Sequence, residues 1–247
     1  MPDLKIFADS TALAKAAADF FLQAAKEAVL AKGIFRVVLA GGTTPLSLYK
    51  LLASEPYSEQ VAWDLVHVFF GDERCVPLDH PESNYRKAQQ TLLGSVPLLP
   101  ENIHRIPSEL EPERAAETYE EKLLAYFSSQ IDLGERQSAS FDLVLLGMGD
   151  DGHTASLFPG TQAVHEETRW VAAQYIDKLA AWRITLTPAI LNQARQVVFM
   201  VSGANKSYTL QRVLYGAYQP DRYPAQIIQP GDGRLTWLVD EAAASLF

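Results

Sequence analysis

Phe141-Asp-Leu-Val-Leu-Leu-Gly-Met-Gly-Asp-Asp-Gly-His-Thr-Ala-Ser-Leu-Phe-Pro-Gly160 decides how this chain is read. An apolar run stops at glycines, two carboxylates and an imidazole follow, and Pro159-Gly160 closes the segment. Short apolar runs of this kind read as buried parallel strands, and open α/β proteins bind ligands in the loops that leave the strands' carboxyl ends. His153 therefore falls where a positioned acid or base is useful. Its ordinary titration range also lies nearest to neutral pH.

The same strand-then-loop pattern recurs on both sides of this segment. Ser10 to Ala31 reads as an amphipathic helix capped by Ser10 or Thr11 and ended by Lys32-Gly33. Ile34 to Ala40 reads as a buried strand, followed by Gly41-Gly42-Thr43-Thr44 and a helix from Pro45, since proline suits a first helical turn. Leu65 to Phe70 is a second strand with Gly71-Asp72-Glu73-Arg74 as its exit loop. Asn84 to Leu93 and Pro112 to Ser128 have helical patterns, and Leu143 to Leu146 is the strand of the opening segment. Further strands are expected at Trp170 to Tyr175, Val197 to Val201 and Leu235 to Val239. Ala204 to Tyr215 reads as a helix, and Glu241 to Leu246 as a short closing one. Strands alternating with helices predict an α/β fold, a mostly parallel, Rossmann-like sheet with helices on both faces. Gly134 to Ser140 is a polar loop, but the strand after it needs the earlier strands as neighbours. Residues 1–247 are therefore expected to form a single domain.

Composition narrows the function. A net charge of -9 argues against a nucleic-acid binder, which needs a basic face, yet leaves room for a local cationic cleft. The single cysteine, Cys75, forms no intrachain disulfide and fits a reducing compartment. The first residues carry charges at Asp3, Lys5 and Asp9, and no stretch offers the roughly 18 uncharged apolar residues of a membrane span. The expectation is a cytoplasmic protein without nucleic-acid or membrane partners, with a monomer favoured.

Two helix starts are candidates for an anion. Gly42 and Thr43 precede a helix whose free N–H groups point at whatever binds there; the bland alternative is a tight turn with a Thr cap. Ser202-Gly203-Ala204-Asn205-Lys206 repeats the arrangement, and Lys206 in a first helical turn opposes the helix dipole unless an anion is near. Arg183, flanked by apolar residues in a strand-like stretch, needs an acceptor, either a carboxylate or a phosphate. Asp72, Glu73 and Arg74 are either solvated loop charges or groups that meet Asp151 and His153 at one sheet edge. His67, His80, His104 and His165 read as structural or surface residues. Gly147-Met-Gly-Asp-Asp-Gly152 matches the dinucleotide G-x-G-x-x-G pattern only formally. Its carboxylates would repel a pyrophosphate, and Pro159-Gly160 leaves no room for the long helix that must follow. The Asp150-Asp151-His153 spacing matches no standard metal site, so no metal is expected.

Taken together, Leu39 to Leu48, Phe70 to Leu92, Asp142 to Pro159, Arg183 to Thr187 and Ser202 to Lys206 resemble the 6-phosphogluconolactonase family, itself similar to glucosamine-6-phosphate deaminases and isomerases. The run Gly147 to Pro159, and Gly71-Asp-Glu-Arg74 followed by Ser83-Asn-Tyr85, carry the resemblance most specifically. It implies a phosphate site at Gly42, Thr43, Arg183 and Lys206, and a catalytic imidazole at His153 with Asp151 beside it. It also implies hydrolysis of 6-phospho-D-glucono-1,5-lactone to 6-phospho-D-gluconate without a cofactor. The related deaminases carry a glutamate five residues after the histidine, where this chain has Phe158, which favours the lactonase branch. Asp72 matches the deaminases' proton-abstracting aspartate and does not discriminate. Arg74 either supports an oxyanion or pairs with Asp72. An aminosugar-phosphate deaminase or isomerase, and a non-catalytic sugar-phosphate sensor, are the alternatives.

Overall fold

Seven strands pair as one parallel sheet, whose central members β2, β6 and β9 are apolar runs that are hydrophobic on both sides and need cover on both faces. The computed structural model describes residues 3–132 and 139–247. In chain order the elements are β1 (Asp3–Phe7), α1 (Ser10–Lys32), β2 (Phe35–Leu39), α2 (Thr44–Leu52), β3 (Val66–Phe70), β4 (Asp72–Arg74), α3 (Asn84–Ala88) and β5 (Ile103–His104). They continue with α4 (Pro112–Asp132), β6 (Leu143–Gly147), β7 (Val171–Ile176), β8 (Ala181–Leu186), α5 (Pro188–Leu191), β9 (Gln196–Val201), α6 (Ser207–Tyr215) and β10 (Arg234–Asp240). The sheet order is β1-β10-β9-β6-β2-β3-β5, and every neighbouring pair is parallel. One continuous core runs from Leu13 and Phe21 of α1 through Val37, Val68, Leu145 and Phe199 to Trp237 and Leu238.

The order fixes where a ligand can sit. From β2 the chain winds outward through β3 to β5, then returns to the other side of β2 as β6 and winds through β9 to β10. The switch point lies between β2 and β6, and the crevice there opens at the strands' carboxyl ends. The glycine-rich loops after β2 and β6 flank it.

Several expectations change in detail. Asp9, not Ser10 or Thr11, caps α1, its carboxylate accepting the Thr11 and Ala12 N–H groups at 2.8 Å. Gly33, at φ 73°, ends the helix as expected. Asp72–Arg74, read as an exit loop, is a strand: it pairs antiparallel with β8, which pairs antiparallel with β7. Trp170–Tyr175 therefore belongs mainly to this separate three-stranded sheet rather than to the parallel one. The helix from Asn84 continues as one widened turn over Gln89–Leu93, and Ala204–Lys206 is a 3-10 turn leading into α6. Glu241–Leu246 forms consecutive turns instead of a helix, since so short a segment leaves helix nucleation uncompensated. The polar loop at Gly134–Ser140 lies, through residue 138, outside the described residues.

Candidate active site

A cavity of about 350 Å³ occupies the switch point, a size suited to a phosphorylated sugar. Its walls come from the segments that follow four strands: Gly41 to Pro45 after β2, Gly71 with Asp72 and Arg74 of β4 after β3, Gly147 to Gly149 with His153 after β6, and Ser202, Asn205 and Lys206 after β9. Each segment follows the carboxyl end of a parallel strand, so residues far apart in sequence meet here.

His153 is set by the loop after β6. Its Nδ1 lies 2.5 Å from Asp151 Oδ1, and its main-chain N–H donates to the same oxygen at 3.1 Å. Phe158 stacks on the imidazole, centroids 4.2 Å apart and planes 24° from parallel. Gly149 permits this geometry, since a Cβ there would fall 2.0 Å from His153 Nδ1 and 2.6 Å from Asp151 Oδ1. Burial pushes the imidazole down to about 4, with Lys206 and Arg74 adding to the effect and Asp72 and Asp150 opposing it. The ring is therefore neutral at physiological pH. With the Nδ1 proton donated to Asp151, Nε2 is left as an acceptor at the cavity wall. No helix follows Gly152, so the formal dinucleotide pattern lacks the element that would hold a pyrophosphate.

Asp72 enters from the opposite side, 7% exposed. Asn84 Nδ2 donates to its Oδ1 at 3.0 Å, and Ser156 Oγ donates to its Oδ2 at 2.7 Å. Its neighbour Glu73 turns away from the cavity and accepts from the main-chain N–H groups of Arg74, Asn84 and Tyr85 and from Ser83 Oγ. Glu73 thus fastens the start of α3 to β4, although burial raises its carboxyl above the usual range. Arg74 does not pair with Asp72: its Nη1 donates to the Glu82 carbonyl at 2.7 Å, and its buried Nε has no partner.

The two helix starts differ. Gly42 adopts φ 91°, a left-handed conformation that glycine takes without strain, and Thr43 makes no side-chain cap bond to α2. That start is open. At the second, Asp240 reaches across from β10 to accept from Ser202 Oγ and from the Gly203 N–H at 3.1 Å. A built-in carboxylate thus holds part of the anion site, and Lys206 supplies the remaining free charge. Burial lowers the Lys206 pKa while Asp150 raises it. Among the described residues, no carboxylate lies within ion-pairing distance of Lys206, Arg74 or Arg183.

Arg183 is the sequence-selected phosphate-site residue that does not line the cavity. It sits opposite Arg74 in the β4–β8 ladder, and its Nη1 donates to the Trp182 carbonyl at 3.1 Å. Desolvation and Arg74 together lower its pKa. Two guanidiniums side by side with no paired carboxylate make a cationic wall, Arg74 in front and Arg183 behind. Asp72, Arg74, His153, Gly42, Thr43 and Lys206 line the cavity, and Asp151 meets it only through His153. Asn84, Ser156, Asp240 and Lys178 are additions; Asn84 had a signal through the Ser83-Asn-Tyr85 run and Ser156 through the Gly147 to Pro159 run.

The fold and site define an open α/β protein with an uncharged imidazole and unpaired cations around a sugar-sized cavity. A model of the family described as glucosamine-6-phosphate isomerases/6-phosphogluconolactonase matches residues 8–237, and the chain belongs to that family. It is 42% identical over 218 residues to the 6-phosphogluconolactonase of Synechocystis sp., covering 88% of this chain and 86% of that one. It is 39% identical over 243 residues to that of Nostoc sp., covering 98% and 97%. The structure of 6-phosphogluconolactonase from Trypanosoma brucei superposes with a TM-score of 0.84 at 28% identity, over 99% of this chain and 98% of that one.

Proposed function

We propose that this protein is a 6-phosphogluconolactonase, hydrolysing 6-phospho-D-glucono-1,5-lactone to 6-phospho-D-gluconate, with residues 1–247 acting as one sugar-phosphate-processing unit. The observation that carries the mechanism is the neutral His153, held through Nδ1 by Asp151 and lining a cavity rimmed by unpaired cations.

The lactone carbonyl is already electrophilic, so catalysis consists of holding it, activating water and stabilising the oxyanion. His153 Nε2 takes a proton from water as the water oxygen bonds to the carbonyl carbon. Asp151 stabilises the imidazolium that forms. The tetrahedral intermediate collapses, the bond to the ring oxygen breaks, and the imidazolium returns the proton to that oxygen. Arg74, which lines the cavity without a paired carboxylate, supports the developing oxyanion. Asp72, oriented by Asn84 and Ser156, accepts from a sugar hydroxyl. The phosphate is held by Lys206 and the main chain at Gly42 and Thr43, with Arg183 adding charge behind Arg74. No cofactor or metal enters these steps. Phe158 on the imidazole leaves no carboxylate where the deaminase resemblance requires one. No helix among the described residues is long and apolar enough to cross a membrane, which fits the proposed cytoplasmic location and a small-molecule substrate.

The test is a hydrolysis assay on freshly generated lactone, with the spontaneous rate subtracted, beside an ammonia-release assay on glucosamine 6-phosphate. Lactone turnover well above background with no ammonia is expected. Ammonia release at rates rivalling lactone hydrolysis would overturn the assignment, as would phosphate binding without turnover of either compound.

A further inference from the structure

Asp151 has two oxygens, and His153 uses one. The other faces Lys178 Nζ, forming an ion pair across from a different part of the fold. Lys178 lies in the Asp177–Leu179 turn between β7 and β8, at the tip of the small antiparallel sheet. The same ammonium sits 4.7 Å from the centroid of the Phe158 ring, the ring that stacks on His153. Lys178 thus meets both groups that flank the imidazole. The turn that carries it closes with a hydrogen bond from the Ala180 N–H to the Asp177 carbonyl at 3.1 Å.

We infer that Lys178 is a positioning residue for the catalytic imidazole, fixing the Asp151 carboxylate against His153 Nδ1 and anchoring Phe158 over the ring. The inference rests on the reading of His153 as general base. A carboxylate held through one oxygen can rotate about it; one held by the His153 donors on Oδ1 and an ammonium on Oδ2 cannot without breaking a charge-assisted contact. The fixed carboxylate fixes the tautomer and leaves Nε2 as the acceptor. An isolated half-exposed ion pair contributes little to stability, so the contact matters through orientation and charge.

The charge has a sign that can be measured. Around His153 stand Asp151 and Asp150 on its own loop, Asp72 and Arg74 on β4, Lys206 before α6, and Lys178 on the β7–β8 turn. Lys178 neutralises Asp151, so a proton on His153 leaves the three groups with net positive charge. Without Lys178 the Asp151 carboxylate is free to favour the imidazolium, and His153 takes up its proton at higher pH.

The experiment follows the His153 ring by NMR in the unliganded protein, its signals identified by their loss in His153→Gln, in wild type, Lys178→Met, Lys178→Gln and Lys178→Arg. Met keeps the length of the stem without charge or hydrogen-bond donor, Gln replaces the charge with a neutral amide donor, and Arg keeps the charge. Met and Gln are expected to raise the titration midpoint by about one pH unit and Arg to restore it. The acid limb of kcat/KM should move with the midpoint. In the same two variants kcat should fall about tenfold while KM changes less than about twofold, since the loss is one of alignment. An unmoved midpoint in folded Met and Gln variants would overturn the inference, as would lost turnover with an unmoved acid limb, the mark of a merely structural contact. If wild type hydrolyses no lactone, the functional reading falls, and the NMR midpoint still decides the role of Lys178.

Discussion

Burial pushes three imidazoles in this protein down to about 4: His153 at the switch point, and His67 and His104 on β3 and β5. In each, desolvation is the largest cause. For His67 the Arg36 charge adds to it, and for His104 the charges of His67 and Lys122 do. The pair is self-contained: His67 Nδ1 and His104 Nε2 lie 3.2 Å apart, Phe69 stacks on His104 at 4.4 Å, and Tyr126 packs against both rings. His153 has its Nδ1 satisfied by a carboxylate and its ring at the wall of a cavity with Asp72, Arg74 and Lys206. A depressed imidazole pKa is therefore no sign of catalysis by itself. What separates the two regions is a fixed tautomer with a free acceptor beside space for a substrate.

The largest effect that would sharpen this contrast is on turnover. His153→Ala should lower kcat by about 10²–10⁴, with KM changing much less, because the imidazole acts on water and leaving group while the phosphate is held elsewhere. His67→Gln and His104→Gln should leave kcat within about twofold. Steady-state assays on fresh lactone check all three. Near-wild-type turnover by folded His153→Ala would break the comparison and pass the role of base to Asp72, since Glu73 faces away from the cavity.

Asp151→Asn should slow turnover by less than His153→Ala does, and the double variant should be little worse than His153→Ala alone, because residues acting as a unit are not additive. Independent, multiplying losses in a kinetic double-mutant cycle would show that Asp151 does not work through His153.

The cationic wall predicts a smaller effect, on binding. Lys206→Ala should raise KM by about 10–100-fold, the loss of a charge-assisted phosphate contact of roughly 1.5–3 kcal/mol. Arg183→Ala should raise it less, since Arg183 stands behind Arg74. An unphosphorylated gluconolactone should be a correspondingly poor substrate, and equal efficiency on both lactones would remove phosphate recognition from these residues.

The smallest effect is on stability, where the His67–His104 pair should matter. With ordinary values of 6.5 and folded values of about 4, the unfolded chain binds more protons than the folded one between those limits. Stability from these groups is full above about pH 6.5 and is lost as pH falls toward 4. The drop in Tm between pH 7 and pH 5 should therefore shrink in a His67→Gln/His104→Gln variant. An unchanged drop would mean the pair titrates alike in both states.

Much of this protein is written locally. Apolar runs such as Val37 to Leu39 and Leu143 to Leu146 mark buried strands, and glycines and carboxylates after them mark loops, because these are features of a few consecutive residues. Lys206 was legible because it opposes the dipole of the helix it starts, and His153, Asp151 and Gly42 because they stand in loops that leave the ends of apolar strands. The tertiary structure alone decided the partnerships. Asp72–Arg74 is too polar to read as a strand and becomes one only because β8 offers it a ladder. Asp240 occupies the second helix start from the end of another strand, leaving Lys206 as its free charge. Arg183 stands behind Arg74 because ladder register, not sequence spacing, sets which side chains are neighbours. Lys178 has no local signature, since an exposed lysine in a turn is ordinary until the fold sets Asp151 and Phe158 before it. Sequence patterns encode the period and the stops of each element. Strand order and register encode which distant charges meet, and the chemistry of this site depends on those meetings.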